Sequence, residues 1–255
     1  MLDFTNKTVI VTGSGNGLGR AIAILFAKQG ANVVINSLRE STGQETLDQI
    51  HGLGRDCIYL QGDVSNPITS KSIVEQTINH FGRIDVLVNN AGVVLCGRLD
   101  ETSEEDFDRT MAVNVKSSFL MSKYTIPYMI KYGGGVIVNI SSCIALKAQS
   151  RRAIYAATKG ALLSMSKSMA LDYIADNIRV NCICPGPTYT EKMEERFLFE
   201  GGGDRKKGVE YYKNMTPLRR LGKVSEIASA VLFSASEDAA FMDGTAIIID
   251  GGVCM

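Results

Sequence analysis

A doubly wound α/β fold with a mostly parallel seven-stranded sheet is predicted from three features of the sequence. Short β-branched runs recur seven times along 255 residues, amphipathic stretches long enough to be crossover helices separate them, and no linker or repeat divides the chain. The first strand is read at Thr8-Val9-Ile10-Val11, followed by a helical pattern from Leu18 to Gln29. Val33-Val34-Ile35 with Gly43 to Leu53, and Ile58-Tyr59-Leu60 with Ser70 to Phe81, repeat the unit. Val86-Leu87-Val88 leads into the longest helical stretch, Glu104 to Tyr132, and Val136-Ile137-Val138 into Arg152 to Tyr173. Val180-Asn181-Cys182-Ile183 is the sixth strand, and Val224 to Ser234 is the helix before the last, Ile247-Ile248-Ile249. Strands joined through helices of this length pair in parallel, because a hairpin has no room for the crossover. One domain over residues 1–255 is expected, with a single irregular segment at about 190–212. There a charged stretch from Glu191 to Glu200 meets Gly201-Gly202-Gly203, either as a mobile lid at the ligand end of the sheet or as a solvated insertion.

Composition narrows the function. Hydrophobic residues make up 45% of the chain and charged ones 21%, the balance of a folded rather than a disordered chain. The 27 basic and 27 acidic side chains cancel, so no overall field favours nucleic acid or an anionic membrane surface. The apolar stretch from Ala21 to Ala27 is too short to span a bilayer, and Met1-Leu2-Asp3-Phe4 lacks the basic start of a secretion signal. A soluble, cytoplasmic protein is expected. Of the cysteines, Cys57, Cys96, Cys143, Cys182, Cys184 and Cys254, none lies in a CxxC spacing, and reduced thiols are expected. Cys182 and Cys184 face one side of a strand, as a metal pair or two buried thiols would. The two histidines, His51 and His80, are distant in sequence, and no catalytic metal is expected.

After the first strand comes Thr12-Gly13-Ser14-Gly15-Asn16-Gly17-Leu18-Gly19 and at once a helix. Absent side chains let backbone N–H groups approach a pyrophosphate, and the helix N-terminus adds its partial positive charge. The spacing departs from G-x-G-x-x-G because Leu18 stands where that pattern needs glycine. Alone, such a loop is as consistent with a tight turn as with a nucleotide site.

The loop, Asn89-Asn90-Ala91-Gly92, Ser142, Tyr155-x-x-x-Lys159 and Pro185-Gly186 follow one another in the order of the short-chain dehydrogenase/reductase family, which the chain resembles over nearly its whole length. The resemblance implies a Rossmann domain and a nicotinamide-dependent oxidoreductase that interconverts a secondary alcohol and a ketone. Tyrosine is a weak base at its ordinary pKa of about 10, so phenolate near neutrality needs a nearby cation. Lys159, one helical turn from Tyr155, is expected to supply it. By resemblance Lys159 also holds the nicotinamide ribose, Ser142 bonds the reacting oxygen, and Asn114 supports a water relay behind the lysine. Singly, each of the four has an ordinary structural reading.

The same resemblance assigns Gly13, Asn16, Gly17, Leu18 and Gly19 to the phosphates. It gives Asp63 and Val64 to the adenine, Asn90 to its ribose, and Pro185, Gly186, Thr188 and Thr190 to the carboxamide and phosphates. After the second strand, Asn36-Ser37-Leu38-Arg39 lacks the carboxylate that NAD-preferring members place there. Ser37 and Arg39 instead suit a 2′-phosphate, favouring NADP over NAD, although Asn16 replaces a basic residue many NADP-dependent relatives carry.

Arg152 lies three residues before Tyr155, and Arg196 falls in the irregular segment. Similar placements occur in members that act on hydroxy acids or hydroxyalkyl sulfonates, so a small anionic substrate is expected beside Ser142 and Tyr155. The other readings pair Arg152 with a neighbouring helix and leave Arg196 in solvent. Sugar, polyol or steroid oxidation and 3-oxoacyl thioester reduction also stay open, as does a non-catalytic nucleotide sensor. By resemblance, the long helices pair copies into a homodimer or homotetramer.

Overall fold

The computed structural model describes residues 2–255. Among these, seven strands form one sheet: β1 (Thr8–Val11), β2 (Asn32–Ser37), β3 (Cys57–Gln61), β4 (Val86–Asn89), β5 (Gly135–Ile140), β6 (Ile178–Pro185) and β7 (Ala246–Ile249). Their order is β3-β2-β1-β4-β5-β6-β7, and every neighbouring pair is parallel. The helices are α1 (Gly17–Lys28), α2 (Glu40–His51), α3 (Pro67–Phe81), α4 (Glu104–Met111), α5 (Ser117–Lys131), α6 (Ala153–Tyr173), α7 (Met193–Glu200), α8 (Arg205–Met215) and α9 (Val224–Ala235). None among the described residues is long and apolar enough to cross a membrane.

Strand periodicity builds two cores. Val9 and Val11, Val33 and Ile35, and Val86 and Val88 point to one face, against Ile22 and Phe26 of α1 and Ile227 and Val231 of α9. Ile10, Val34 and Leu87 point to the other, against Ile73 of α3, Met121 and Met129 of α5 and Met169 of α6. Each such side chain contributes about 1.5–3 kcal/mol when fully buried. A polar ladder fixes the register between the cores. Asn89 donates to Asn139 at 2.8 Å and Ser122 at 3.1 Å, and Asn139 donates to Ser166 at 2.8 Å. Asn89 and Asn139 are register partners on β4 and β5, so a one-residue slip would break the ladder.

The chain runs outward from β1 to β3 and then crosses back to β4 on the other side of β1. Loops at the carboxyl ends of β1 and β4 therefore diverge and open a crevice. Helices return to the opposite end through turns such as Gly54 (φ 68°) before β3 and Gly82 (φ 79°) before β4.

Two segments differ from the sequence reading. The stretch from Glu104 to Tyr132 is not one helix, because residues 112–116 wind as a π-helical insert between α4 and α5. The segment at about 190–212 carries two helices that the sequence reading does not assign. α7 and α8 fold around buried Met193, Phe197 and Tyr212, and turn at Gly202 (φ 61°) and Gly203 (φ 91°).

Candidate active site

A cavity of about 670 Å³ fills the crevice. Its floor is the glycine loop, where Gly13 (φ 63°) and Gly17 (φ 53°) take left-handed backbone that favours glycine. A Cβ on Gly13 would stand 2.9 Å from the Ala91 backbone, so the loop packs directly on the segment after β4. Asn16 makes no side-chain capping bond to α1, and Gly17, Leu18 and Gly19 line the cavity. First-turn N–H groups are thus left for an anionic ligand, which fits a pyrophosphate.

Residues that carried no signal in the sequence hold this loop. Arg20 donates from Nε to the Gly15 carbonyl at 3.0 Å and pairs with Glu45 at 2.7 Å. Thr46 donates to the Ser14 carbonyl at 3.1 Å. The Asn36 side chain accepts from Gly13 N at 3.3 Å and donates to the carbonyls of Leu60 and Gly62, each at 3.1 Å. These contacts join residues on different elements, which local spacing does not reveal.

Ser37, Arg39, Asp63, Val64 and Asn90 line one end of the cavity. Ser37 Oγ lies 3.0 Å from Thr42 Oγ1 and 3.2 Å from the Arg39 carbonyl, while the Arg39 side chain is exposed. Asp63 Oδ1 accepts from Ser65 N at 2.8 Å. Asn90 Nδ2 donates to the carbonyls of Thr12 at 2.9 Å and Gly13 at 3.2 Å, so its amide braces the loop as well as forming the wall. Pro185, Gly186, Thr188 and Thr190 form the other wall. Thr190 Cγ2 would lie 3.4 Å from a Cβ on Gly17, directly across the floor.

Ser142, Tyr155 and Lys159 meet in the middle of the cavity. Ser142 follows β5 and accepts from Ile144 N at 3.3 Å. Tyr155 is half-buried and Lys159 buried on α6, with Lys159 Nζ 5.8 Å from the centre of the Tyr155 ring. Lys159 Nζ donates to the Ile140 carbonyl at 2.7 Å, and Ser141 donates to the Lys159 carbonyl at 2.7 Å. Asn114 is behind the lining, in the π-helical insert. Its Oδ1 accepts from Val93 N at 2.8 Å, and its Nδ2 donates to the Val93 carbonyl at 2.9 Å and Thr158 at 3.0 Å. Gly92 separates it from the lysine, since a Cβ there would stand 3.4 Å from Asn114 Oδ1 and 3.6 Å from Lys159 Nζ.

Burial pulls Lys159 down to about 8, against the influence of the neighbouring Cys182 and Cys184. The Tyr155 phenol is pushed above its ordinary value by burial, opposed first by Arg196 and then by a hydrogen bond from Ser142. The expected lowering by Lys159 is thus not what the protein groups alone produce, because the ammonium is directed at the Ile140 carbonyl. Cys182 and Cys184 lie two apart on β6 and are both buried, and all six cysteines are free.

The two candidate substrate arginines differ in state. Arg152 lines the cavity but is buried, and its Nη2 pairs with Glu200 of α7 at 2.5 Å. Arg196 also lines the cavity, is half-buried, and has Met193 Sδ at 3.5 Å as its nearest polar partner. Among the described residues no carboxylate pairs with it. Arg152 is thus paired with α7, whereas Arg196 lines the cavity without a carboxylate partner.

A family model described as enoyl-(acyl carrier protein) reductase matches residues 13–254. An uncharacterized oxidoreductase of Thermotoga maritima is 46% identical over 254 residues, covering 98% of each chain. The 2-(R)-hydroxypropyl-CoM dehydrogenase of Xanthobacter autotrophicus is 36% identical over 250 residues, covering 96% of this chain and 98% of the relative. The structure of L-sorbose reductase from Gluconobacter frateurii with NADPH and L-sorbose superposes with a TM-score of 0.94 at 31% identity, covering 99% of this chain and 98% of the other. NAD+-bound xylitol dehydrogenase also superposes with a TM-score of 0.94, at 29% identity, covering 98% of this chain and 99% of the other.

Proposed function

Because the chain belongs to the short-chain dehydrogenase/reductase family, we propose that it is an NAD(P)-dependent oxidoreductase interconverting the alcohol and ketone forms of a small hydroxy acid or hydroxy sulfonate. The observation that carries the substrate class is Arg196, a cation without a carboxylate partner in the cavity that holds Tyr155. A guanidinium left so binds an anion through paired N–H donors.

When bound, NAD(P) would supply the hydride acceptor for alcohol oxidation and the hydride donor for ketone reduction, held by the glycine loop and the wall at residues 185–190. Tyr155 exchanges the proton with the substrate oxygen, and Ser142 donates a hydrogen bond that steadies charge developing there. Lys159, fixed by the Ile140 carbonyl one helical turn from Tyr155, would hold the ribose of a bound coenzyme through its ammonium. Asn114 holds the segment after β4 against α6 and keeps Gly92 close to the lysine. Ser37 and Arg39, with no carboxylate between them, favour NADP, the 2′-phosphate pairing with the exposed guanidinium.

A sugar or polyol substrate is the second reading, favoured by the likeness to L-sorbose reductase and xylitol dehydrogenase. The test is oxidation of hydroxy acids, hydroxy sulfonates and polyols with NADP+ and with NAD+, followed through the absorbance of the reduced nicotinamide. Turnover of the anions that falls on Arg196→Ala through a raised KM supports the first reading. Turnover of polyols alone replaces it with the second.

A further inference from the structure

We infer that Glu200 sets the charge the substrate carries, by engaging Arg152 and leaving Arg196 as the half-buried cavity arginine without a carboxylate partner; this rests on the anionic-substrate reading above. Glu200 lies four residues after Arg196 on α7, the spacing at which the two would pair along the helix. They do not pair, because the Glu200 carboxylate is bonded to Arg152. Glu200 thus selects between two arginines. The one it takes is closed in: Arg152 is buried, and its Nη1 donates to the Arg151 carbonyl at 3.1 Å.

Glu200 pairs with none of the other charges of the lining: Lys159 donates to the Ile140 carbonyl, and Arg109 is exposed. Arg151 is exposed, with its guanidinium 4.8 Å from the centre of the Phe199 ring. Glu191 and Lys192, both exposed at the rim, offset one another. An anionic group on the substrate therefore meets one half-buried guanidinium without a carboxylate partner, Arg196, with Lys159 held at the Ile140 carbonyl. A second negative charge would enter a partly desolvated site with no partner, which is unfavourable. The geometry accordingly assigns the cavity to monoanions, with Glu200 as a specificity-determining residue that touches neither substrate nor coenzyme.

The experiment compares butyrate with succinate, neither of which carries a hydroxyl to oxidise, by calorimetric titration into the NADP+-loaded protein. The parent is expected to bind butyrate at least as tightly as succinate. Glu200→Gln keeps the size of the side chain and removes its charge, and is expected to tighten succinate at least tenfold relative to butyrate. The double variant Arg152→Gln/Glu200→Gln restores the charge balance and is expected to return the ratio to that of the parent. A ratio unmoved by Glu200→Gln, with NADP+ affinity and Tm retained, overturns the inference while leaving the anionic-substrate reading intact. A shift that persists in the double variant also overturns it, since damage to the α7–α8 segment rather than charge is then responsible. A parent that binds neither carboxylate overturns both.

Discussion

At Tyr155, burial and the Arg196 guanidinium act on the phenol in opposite directions, and burial prevails. The neutral phenol is therefore the form present near pH 7, suited to protonating a carbonyl oxygen, whereas alcohol oxidation needs the phenolate and is expected to quicken as pH rises. Removing the cation in Arg196→Gln raises the phenol further, so the alkaline limb of the oxidation profile should move to higher pH, as a pH series of kcat would reveal. Tyr155→Phe should lower kcat by about a hundred- to ten-thousand-fold while coenzyme affinity, measured by titration, is retained. The residues behind these outcomes were unequally legible in the sequence. Tyr155 and Lys159 lie within one helical turn and announce themselves, but Arg152 and Glu200 are separated by 48 positions and pair only after folding. Separation also hid Thr46, whose partner Ser14 in the glycine loop lies on a different element.

Among the elements, the strands were the easiest to read, since each is a β-branched run whose burial leaves little polar interruption. The π-helical insert was not, because Met111 to Lys116 carries no residue that breaks a helix; the extra residue is accommodated by the tertiary bonds of Asn114. Nor were α7 and α8, whose charged residues outnumber the apolar ones that fold them. Met193 and Phe197 are four apart on one short helix, too brief a pattern to stand out beside Glu194, Glu195 and Arg196. Phe197 is fully buried there, so Phe197→Ala should cost the segment about 3–5 kcal/mol. The expected result is faster proteolytic cleavage at Gly201-Gly202-Gly203 and a raised KM, with the Tm of the main sheet nearly unchanged.

For the molecule as a whole, strand order decides where everything else sits: the crossing back from β3 to β4 puts the coenzyme wall, the catalytic helix and the α7–α8 segment around one crevice. Ser37→Asp, at the far end of that crevice from Tyr155, should weaken NADP+ relative to NAD+ by repelling the 2′-phosphate, as the two KM values would record. The long helices also leave apolar side chains in the open, with Phe119 47%, Ile130 42% and Leu171 77% exposed. Pairing of copies through these faces is expected, and Leu171→Asp should then lower the mass measured by light scattering. The parallel sheet has one more practical result. Every chemical event is confined to the pole where strands end, while Gly54 and Gly82 lie at the other, where an added side chain would meet nothing within 4 Å. A fluorophore or surface tether anchored next to those turns would leave turnover undisturbed, giving the enzyme a natural handle for a biosensor.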